Sequence, residues 1–223
     1  MICNWQVNSQ WVALTAVCDN FLDVVDHAFL MSLRQRQIEK LIEHDHKWST
    51  MKPQTPVAIM PESLKIVDLD YHTHTGDYCE LGDNKLSSKR SYKKFFESDE
   101  SDMKRWQSII RKYYSSAVEI FQHINNRPCA LSSRPDVSLI TIAPNFKYPV
   151  HNDSEMKRLS MVINLGDDNK GTQLVDHGSV PWKDNRAFAF TRNENTFHWY
   201  ESNDDYRTCL IYNIASTREE KNA

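Results

Sequence analysis

The sequence lacks the features of several protein classes. No apolar stretch reaches the length needed to cross a membrane, and the first residues show no basic segment followed by an apolar one. The five cysteines are scattered, odd in number and without Cys-x-x-Cys spacing, which disfavours a disulfide framework or a structural zinc knuckle. Internal repeats and low-complexity segments are missing as well. We therefore expect a soluble, unprocessed protein of the cytoplasm, with no membrane partner.

An excess of charge of one sign is also missing. The 223 residues include 27 Lys and Arg against 30 Asp and Glu, a formal net charge of −3. This balance provides no general attraction for nucleic acid or an anionic membrane. With 40% apolar and 26% charged residues, the composition is that of a globular protein. The length suits a single domain over residues 1–223 and leaves the oligomeric state open.

The pattern of the N-terminal part of the sequence predicts helices and one long polar loop. Apolar residues recur at helical spacing over residues 24–42, with Asp23 or Asp26 near the helix start. The clearest helix is predicted over 99–126, where the three-to-four spacing is unbroken. Between the helices, three prolines predict a loop and residues 66–71 a strand. The polar stretch 71–98 is a long loop and a candidate lid.

From residue 136 onward the pattern changes to short β-branched or alternating runs separated by turns. About seven such strands suggest a sandwich or jelly roll. Residues 1–135 would then be mainly helical support with a long loop, and residues 136–216 a β core. We expect an α+β fold, with a double-stranded β-helix (jelly-roll) core in the C-terminal half and N-terminal supporting helices. The main strands are predicted at 137–142, 159–165, 172–175, 186–190, 195–200 and 208–215.

Three residues of this half have the types and spacing of a metal site. His151 and Asp153 are two residues apart, so on an extended strand both side chains point to the same side. His198 follows 47 residues after His151 and can join them if the intervening strands fold back. Two histidines and one carboxylate that leave other positions open are the ligands of non-haem Fe(II) oxygenases. Arg207, nine residues further on, can grip the distal carboxylate of a bound diacid.

These motifs and their surroundings resemble the Fe(II)/2-oxoglutarate-dependent oxygenases, and within them the prolyl-4-hydroxylase-like group. The resemblance covers about the last 90 residues well and about the first 130 in outline. It is carried by Tyr148-x-x-His151-x-Asp153, the run from Arg158 to Leu165, Gly171-Thr172-Gln173-Leu174, Thr196-Phe197-His198 and Arg207.

The resemblance implies that His151, Asp153 and His198 bind iron and form the catalytic centre. It also implies that Arg207 pairs with the distal carboxylate of 2-oxoglutarate, with Tyr148 placed to bond the same group. The implied reaction consumes O2 and 2-oxoglutarate, releases succinate and CO2, and hydroxylates a small molecule or a protein side chain. Ascorbate is the reductant that such chemistry would use.

Other residues follow or depart from the family pattern. Ser160 and Asn164 fall on a strand whose inward side chains would line the co-substrate pocket. The family's frequent Arg-x-Ser is here Arg207-Thr208-Cys209, so Cys209 stands where a second carboxylate contact is usual. The carboxylate ligand is present as Asp153, which disfavours the halogenase variant with a small residue there.

Two alternatives stay open at this stage: a cupin-like protein that binds a metal or small ligand without redox chemistry, and an oxygenase fold that serves only as an interaction module. Arg207 argues against the simple cupin, because a buried cation needs an anionic partner. The pairs His44-Asp45-His46 and His72-Thr73-His74 also have strand-like spacing. Neither has a downstream residue that completes a metal site.

Overall fold

The computed structural model describes residues 6–7, 15–51, 66–70, 100–125, 134–142, 144–153 and 157–215. Within these ranges it contains two helices and eleven strands. The helices are α1 (Val24–Met51) and α2 (Glu100–Asn125). The strands are β1 (Gln6–Val7), β2 (Thr15–Cys18), β3 (Ile66–Asp70), β4 (Arg134–Ile142), β5 (Lys147–His151), β6 (Lys157–Leu165), β7 (Thr172–Leu174), β8 (Gly178–Val180), β9 (Ala187–Phe190), β10 (His198–Glu201) and β11 (Arg207–Ala215).

The strands form two antiparallel sheets of unequal size. The larger has seven strands in the order β1-β2-β9-β6-β11-β4-β3, and the smaller has four in the order β5-β10-β7-β8. Neighbouring strands pair antiparallel in both sheets. The described part of the chain is therefore mostly antiparallel sheet with two helices, as the alternating C-terminal pattern predicts.

Helix α1 begins at a capping residue that the sequence indicates. The Asp23 carboxylate accepts a hydrogen bond from the backbone N–H of Asp26 at 2.8 Å, which satisfies one of the free N–H groups of the first turn. The buried Phe29, Leu30 and Leu33 then face the core at helical spacing. The helix predicted over 24–42 is confirmed, and it continues to Met51.

Helix α2 agrees with its prediction to within one residue at each end. Its apolar face packs on the larger sheet and contacts β2, β4, β6 and β11. A tyrosine of this face, Tyr113, also accepts a hydrogen bond from the backbone N–H of Asp23 at 2.9 Å, which ties α2 to the start of α1. The buried residues of this face are Trp106, Ile109, Ile110, Tyr113, Ala117, Ile120, Phe121 and Ile124.

The two faces of β11 have different tasks, because side chains alternate along a strand. Leu210, Tyr212 and Ile214 join the core beneath the helices, where the Tyr212 hydroxyl donates to the carbonyl of Ile110 at 2.8 Å. Arg207, Ile211 and Asn213 lie on the other face and line a cavity. The larger sheet thus separates the helix-packed core from the cavity.

Some features differ from the expectation or lie outside the described ranges. Strand β8 was not expected, and β10 begins at His198, three residues later than predicted. The 71–98 excursion, with the His72–His74 pair, lies outside the described residues, as do residues 52–65 after α1. The side chains of His44 and His46 lie outside them too, although their backbone is part of α1. Neither described helix is long and apolar enough to cross a membrane.

The cap of α1 generates a stability prediction. Asp23→Ala should lower the free energy of unfolding by about 1–2 kcal/mol near neutral pH, because it removes the capping oxygen. A hydrogen bond from the Lys112 ammonium is the main cause of a lowered Asp23 pKa. The stabilisation from this ion pair is therefore complete above the ordinary carboxyl pKa and is lost as the pH falls through the lowered value. Urea unfolding at pH 7 and in acid measures both effects.

Asp23→Ser is the matched control, because serine keeps a capping oxygen without the charge. It should recover most of the stability that alanine loses at pH 7. Its free energy of unfolding should no longer fall in acid through protonation of residue 23. An alanine variant as stable as the wild type would contradict the capping role.

Candidate metal centre and cavity

Two neighbouring strands bring the His-x-Asp motif and the distant histidine together. His151 ends β5 and His198 begins β10, and the antiparallel register places them directly opposite one another. Their ring centroids are 4.3 Å apart at an interplanar angle of 55°. One ligand atom each of His151, Asp153 and His198 lies within 4.8 Å of the other two. Among the described residues, this is the cluster of His, Cys, Asp and Glu side chains able to hold a metal ion.

The hydrogen bond of His198 selects the nitrogen that can face a metal. Its Nδ1 lies 2.9 Å from the carbonyl oxygen of Thr196, a contact in which Nδ1–H donates and Nε2 keeps its lone pair. Burial lowers the pKa of His198, helped by the nearby His151 and Lys157, and outweighs the opposing effects of the Thr196 carbonyl and Asp153. The neutral imidazole is the form that binds metals.

Asp153 is buried yet held as a carboxylate. The Lys157 ammonium donates to Oδ1 at 2.8 Å, and the Ser160 hydroxyl donates to Oδ2. Burial alone would raise the pKa of Asp153, but the charge and hydrogen bond of Lys157, the bond from Ser160 and the nearby His198 together lower it. Each carboxylate oxygen has two lone pairs, so both retain the capacity to bind a cation.

The three residues face a cavity of about 290 Å³ between the two sheets. Apolar side chains of the larger sheet form much of its wall, and Val162 and Phe190 are also part of the apolar cluster beside it. The cavity is lined by Ile140, Tyr148, His151, Asn152, Asp153, Lys157, Ser160, Val162, Thr172, Phe190, His198, Tyr200, Arg207, Ile211 and Asn213.

Arg207 places a buried cation in this cavity. Only 4% of the residue is exposed, and its Nη2 has no hydrogen-bond partner within the described chain. Its Nε donates to the carbonyl of Lys170 at 3.2 Å, and the guanidinium lies 4.5 Å from the ring centroid of Tyr200 and 5.2 Å from that of Trp182. A buried, incompletely paired guanidinium is costly unless an anion joins it. The planar fork suits a carboxylate.

Tyr148 and Ser160 both line the cavity. The Tyr148 ring meets His151 edge-on at 4.9 Å between centroids and stacks on Tyr200 at 4.9 Å. Tyr148 therefore lies between the His-Asp-His cluster and Tyr200, the ring that the Arg207 guanidinium contacts. Ser160 reaches the cavity through its bond to Asp153.

The structure does not bring Asn164 to the cavity. Asn164 pairs with Cys209 in the sheet, and its Oδ1 lies 3.6 Å from the Cys209 thiol. Neither residue is part of the cavity lining. Burial raises the pKa of the Cys209 thiol against the opposing positive charge of Arg207. The geometry thus does not support the expected contact of Asn164 with a co-substrate, nor a carboxylate contact from Cys209.

Several lining residues, among them Lys157, Thr172 and Asn213, were not singled out as site residues from the sequence. Thr172 belongs to a motif segment and Lys157 directly precedes one, but nothing in the pattern shows that they reach the cavity. Asn213 was detectable in principle, because it lies six residues after Arg207 and therefore on the same face of β11. A polar residue on that face of a buried strand is the signal that could have identified it.

No protein-family model matches the chain, and no curated protein matches it in sequence. Solved structures match its fold at low identity. A prolyl hydroxylase from Trichoplax adhaerens, solved with a hypoxia inducible factor peptide fragment, is 9% identical with a TM-score of 0.53, over 95% of this chain and 88% of that one. A prolyl 4-hydroxylase from Phytophthora capsici is 10% identical with a TM-score of 0.51, over 92% and 60%.

A further match, AviO1 from Streptomyces viridochromogenes, is 11% identical with a TM-score of 0.50, over 92% of this chain and 91% of that one. At such identities the likeness establishes a shared fold. The chain therefore has a fold similar to that of prolyl hydroxylase structures.

The hydrogen bond from Ser160 to Asp153 predicts a change in metal affinity. Ser160→Ala should weaken binding of Mn(II) about tenfold, because the carboxylate loses a group that orients it. Isothermal titration calorimetry of the purified protein measures the dissociation constant. Ser179→Ala, which removes an exposed hydroxyl from β8, is the control and should leave the constant unchanged. Equal affinity in the wild type and Ser160→Ala would show that the bond does not orient a metal ligand.

Proposed function

We propose that the protein is an Fe(II)- and 2-oxoglutarate-dependent dioxygenase that hydroxylates its substrate and releases succinate and CO2. The observation that carries the proposal is one cavity that holds both a His-Asp-His cluster and a buried guanidinium with a free Nη2. The two sheets, with the cavity between them, would be the halves of a double-stranded β-helix core. The shared fold with prolyl hydroxylases is consistent with this proposal.

The donor set fits a non-haem iron centre. His151, Asp153 and His198 would bind Fe(II) through two neutral imidazole nitrogens and one carboxylate oxygen, which leaves coordination positions open. The Thr196 carbonyl orients His198, and Ser160 with Lys157 orients Asp153. Partners of this kind raise metal affinity, because the ligands are already in position before the metal arrives.

Arg207 would hold the distal carboxylate of 2-oxoglutarate. A bidentate contact with that carboxylate would give Nη2 its missing partner and offset the charge of the buried guanidinium. The guanidinium lies over the rings of Tyr200 and Trp182, and these contacts limit its rotation. Tyr148, stacked on Tyr200, would contact the same carboxylate from the metal side.

When bound, Fe(II) with O2 and 2-oxoglutarate supplies the oxidising power for substrate hydroxylation, and ascorbate would keep the iron reduced. The chain's own residues hold the metal and the diacid in fixed positions and keep water from the reacting atoms. Val162, Phe190 and Ile211 form apolar wall for that purpose. The substrate would be a small molecule or a protein side chain; the peptide bound to the Trichoplax enzyme supports the second kind.

Anaerobic loading of the protein tests the proposal directly. Fe(II) with 2-oxoglutarate should produce a visible metal-to-ligand charge-transfer band in the wild type, and His198→Ala should abolish it because one iron ligand is lost. Absorbance spectra under nitrogen make the comparison, and thermal unfolding checks that the variant is folded. Metal binding without the band would instead support a cupin-like protein without redox chemistry.

The proposed role of Arg207 predicts that its substitution weakens 2-oxoglutarate binding and leaves iron binding nearly unchanged. Arg207→Gln should raise the dissociation constant of 2-oxoglutarate at least about 30-fold, since removing a buried charged partner costs roughly 2 kcal/mol or more. Iron binding in the absence of 2-oxoglutarate should stay within about twofold, as Arg207 is not a metal ligand. Titration of the charge-transfer band measures the first constant and calorimetry the second.

Arg186→Gln is the control for Arg207, because Arg186 bonds Asp19 at the protein surface and is no part of the cavity lining. It should leave both constants unchanged. An Arg207→Gln variant with wild-type affinity for 2-oxoglutarate would contradict the assigned carboxylate site.

A further inference from the structure

The cavity contains a second buried polar group without a partner, and the proposed function leaves it unused. Asn213 lies on β11 and lines the cavity, with 6% of the residue exposed. Its Oδ1 is buried, and no donor within the described part of the chain reaches it. Buried polar atoms are normally hydrogen-bonded, so an exception inside a cavity points to a ligand.

The register of the sheet places Asn213 beside the metal cluster. Asn213 lies directly opposite Ser160, whose hydroxyl donates to Asp153. Side chains directly opposite each other on one face of an antiparallel pair have Cβ atoms about 5 Å apart. The Asn213 amide is therefore close enough to meet a molecule held against the metal centre.

Arg207 lies at the other end of the same strand face. Arg207 and Asn213 are six positions apart, about 20 Å at roughly 3.4 Å per residue. Ile211 lies between them on the same face. A five-carbon diacid is much shorter than this span, so 2-oxoglutarate gripped by Arg207 leaves the Asn213 end of the cavity for another molecule.

The side chains at this end describe the chemistry of that molecule. The free Oδ1 is an acceptor and requires an N–H or O–H group. The cation at this end, Lys157, already bonds Asp153. Ile211 and Val162 offer apolar surface for the carbon skeleton. The complement is an amide or alcohol whose aliphatic part extends towards the metal centre.

We propose that Asn213 determines substrate specificity by accepting a hydrogen bond from an amide N–H or hydroxyl of the primary substrate. The proposal rests on the dioxygenase function for the identity of the reaction, but the binding itself needs only the cavity. A site built to bond such a group discriminates strongly against an analogue that lacks it, since the buried acceptor is then left unpaired.

Two fluorinated fragments test the inference, because they share a ring and a carbonyl and differ in the donor. They are 4-fluorobenzamide, which has N–H groups, and methyl 4-fluorobenzoate, which has none. Binding is measured by fluorine NMR titration of the full chain loaded with Zn(II) and 2-oxoglutarate. The wild type should bind the amide at least about fivefold more tightly than the ester.

Two variants of nearly equal size separate hydrogen bonding from packing. Asn213→Leu removes the acceptor and should weaken amide binding about tenfold while changing ester binding less than about twofold. Asn213→Asp keeps an acceptor and should preserve the preference for the amide. Asn213→Leu should bind Zn(II) and 2-oxoglutarate as the wild type does, and thermal unfolding confirms that both variants are folded.

Several results would overturn the inference. Equal binding of amide and ester by the wild type would remove the donor requirement, and equal weakening of both by Asn213→Leu would reduce Asn213 to a packing role. Loss of 2-oxoglutarate binding with an unchanged amide preference would assign Asn213 to the co-substrate. A wild type that binds neither Zn(II) nor 2-oxoglutarate would contradict the proposed function instead. The same fragments titrated into the unloaded protein would then test whether Asn213 accepts the hydrogen bond.

Discussion

The antiparallel pairing of β5 with β10 is the constraint on which the rest of the site depends. It places His151 opposite His198, and the extended chain after β5 brings Asp153 to the same place. A register shift of one residue would move one imidazole to the other face of the small sheet and separate the three side chains. The larger sheet contributes Ser160, Arg207 and Asn213 to the same cavity.

The cavity also holds two buried charged side chains, Asp153 and Arg207. Asp153 stays ionised in a buried position because Lys157 and Ser160 compensate its charge locally. Arg207, in the same cavity, contacts the rings of Tyr200 and Trp182 and donates to the carbonyl of Lys170. It has no carboxylate partner among the described residues. In the cavity the charge of Asp153 is thus compensated and that of Arg207 is not, so an anionic ligand would complement the cavity better than a neutral one.

The alternation of β11 joins stability to specificity in one strand. Leu210, Tyr212 and Ile214 pack beneath the helices, whereas Arg207, Ile211 and Asn213 line the cavity. A substitution on the cavity face can therefore alter ligand binding while the apolar core beneath the helices keeps its packing. This separation makes variants of Arg207 and Asn213 informative about function.

Local patterns in the sequence were enough to predict both described helices, a cap at Asp23 or Asp26, most strands and the three side chains that the structure brings together as a possible metal site. These features depend on periodicity and on side chains a few residues apart, which the sequence displays directly. The short strand β8, the displacement of Asn164 from the cavity and the partners of Asp153 were not predictable in this way. Only the pairing of strands distant in the chain decides which inward side chain reaches the cavity. Only the tertiary structure therefore revealed the unpaired Oδ1 of Asn213 beside the His-Asp-His cluster.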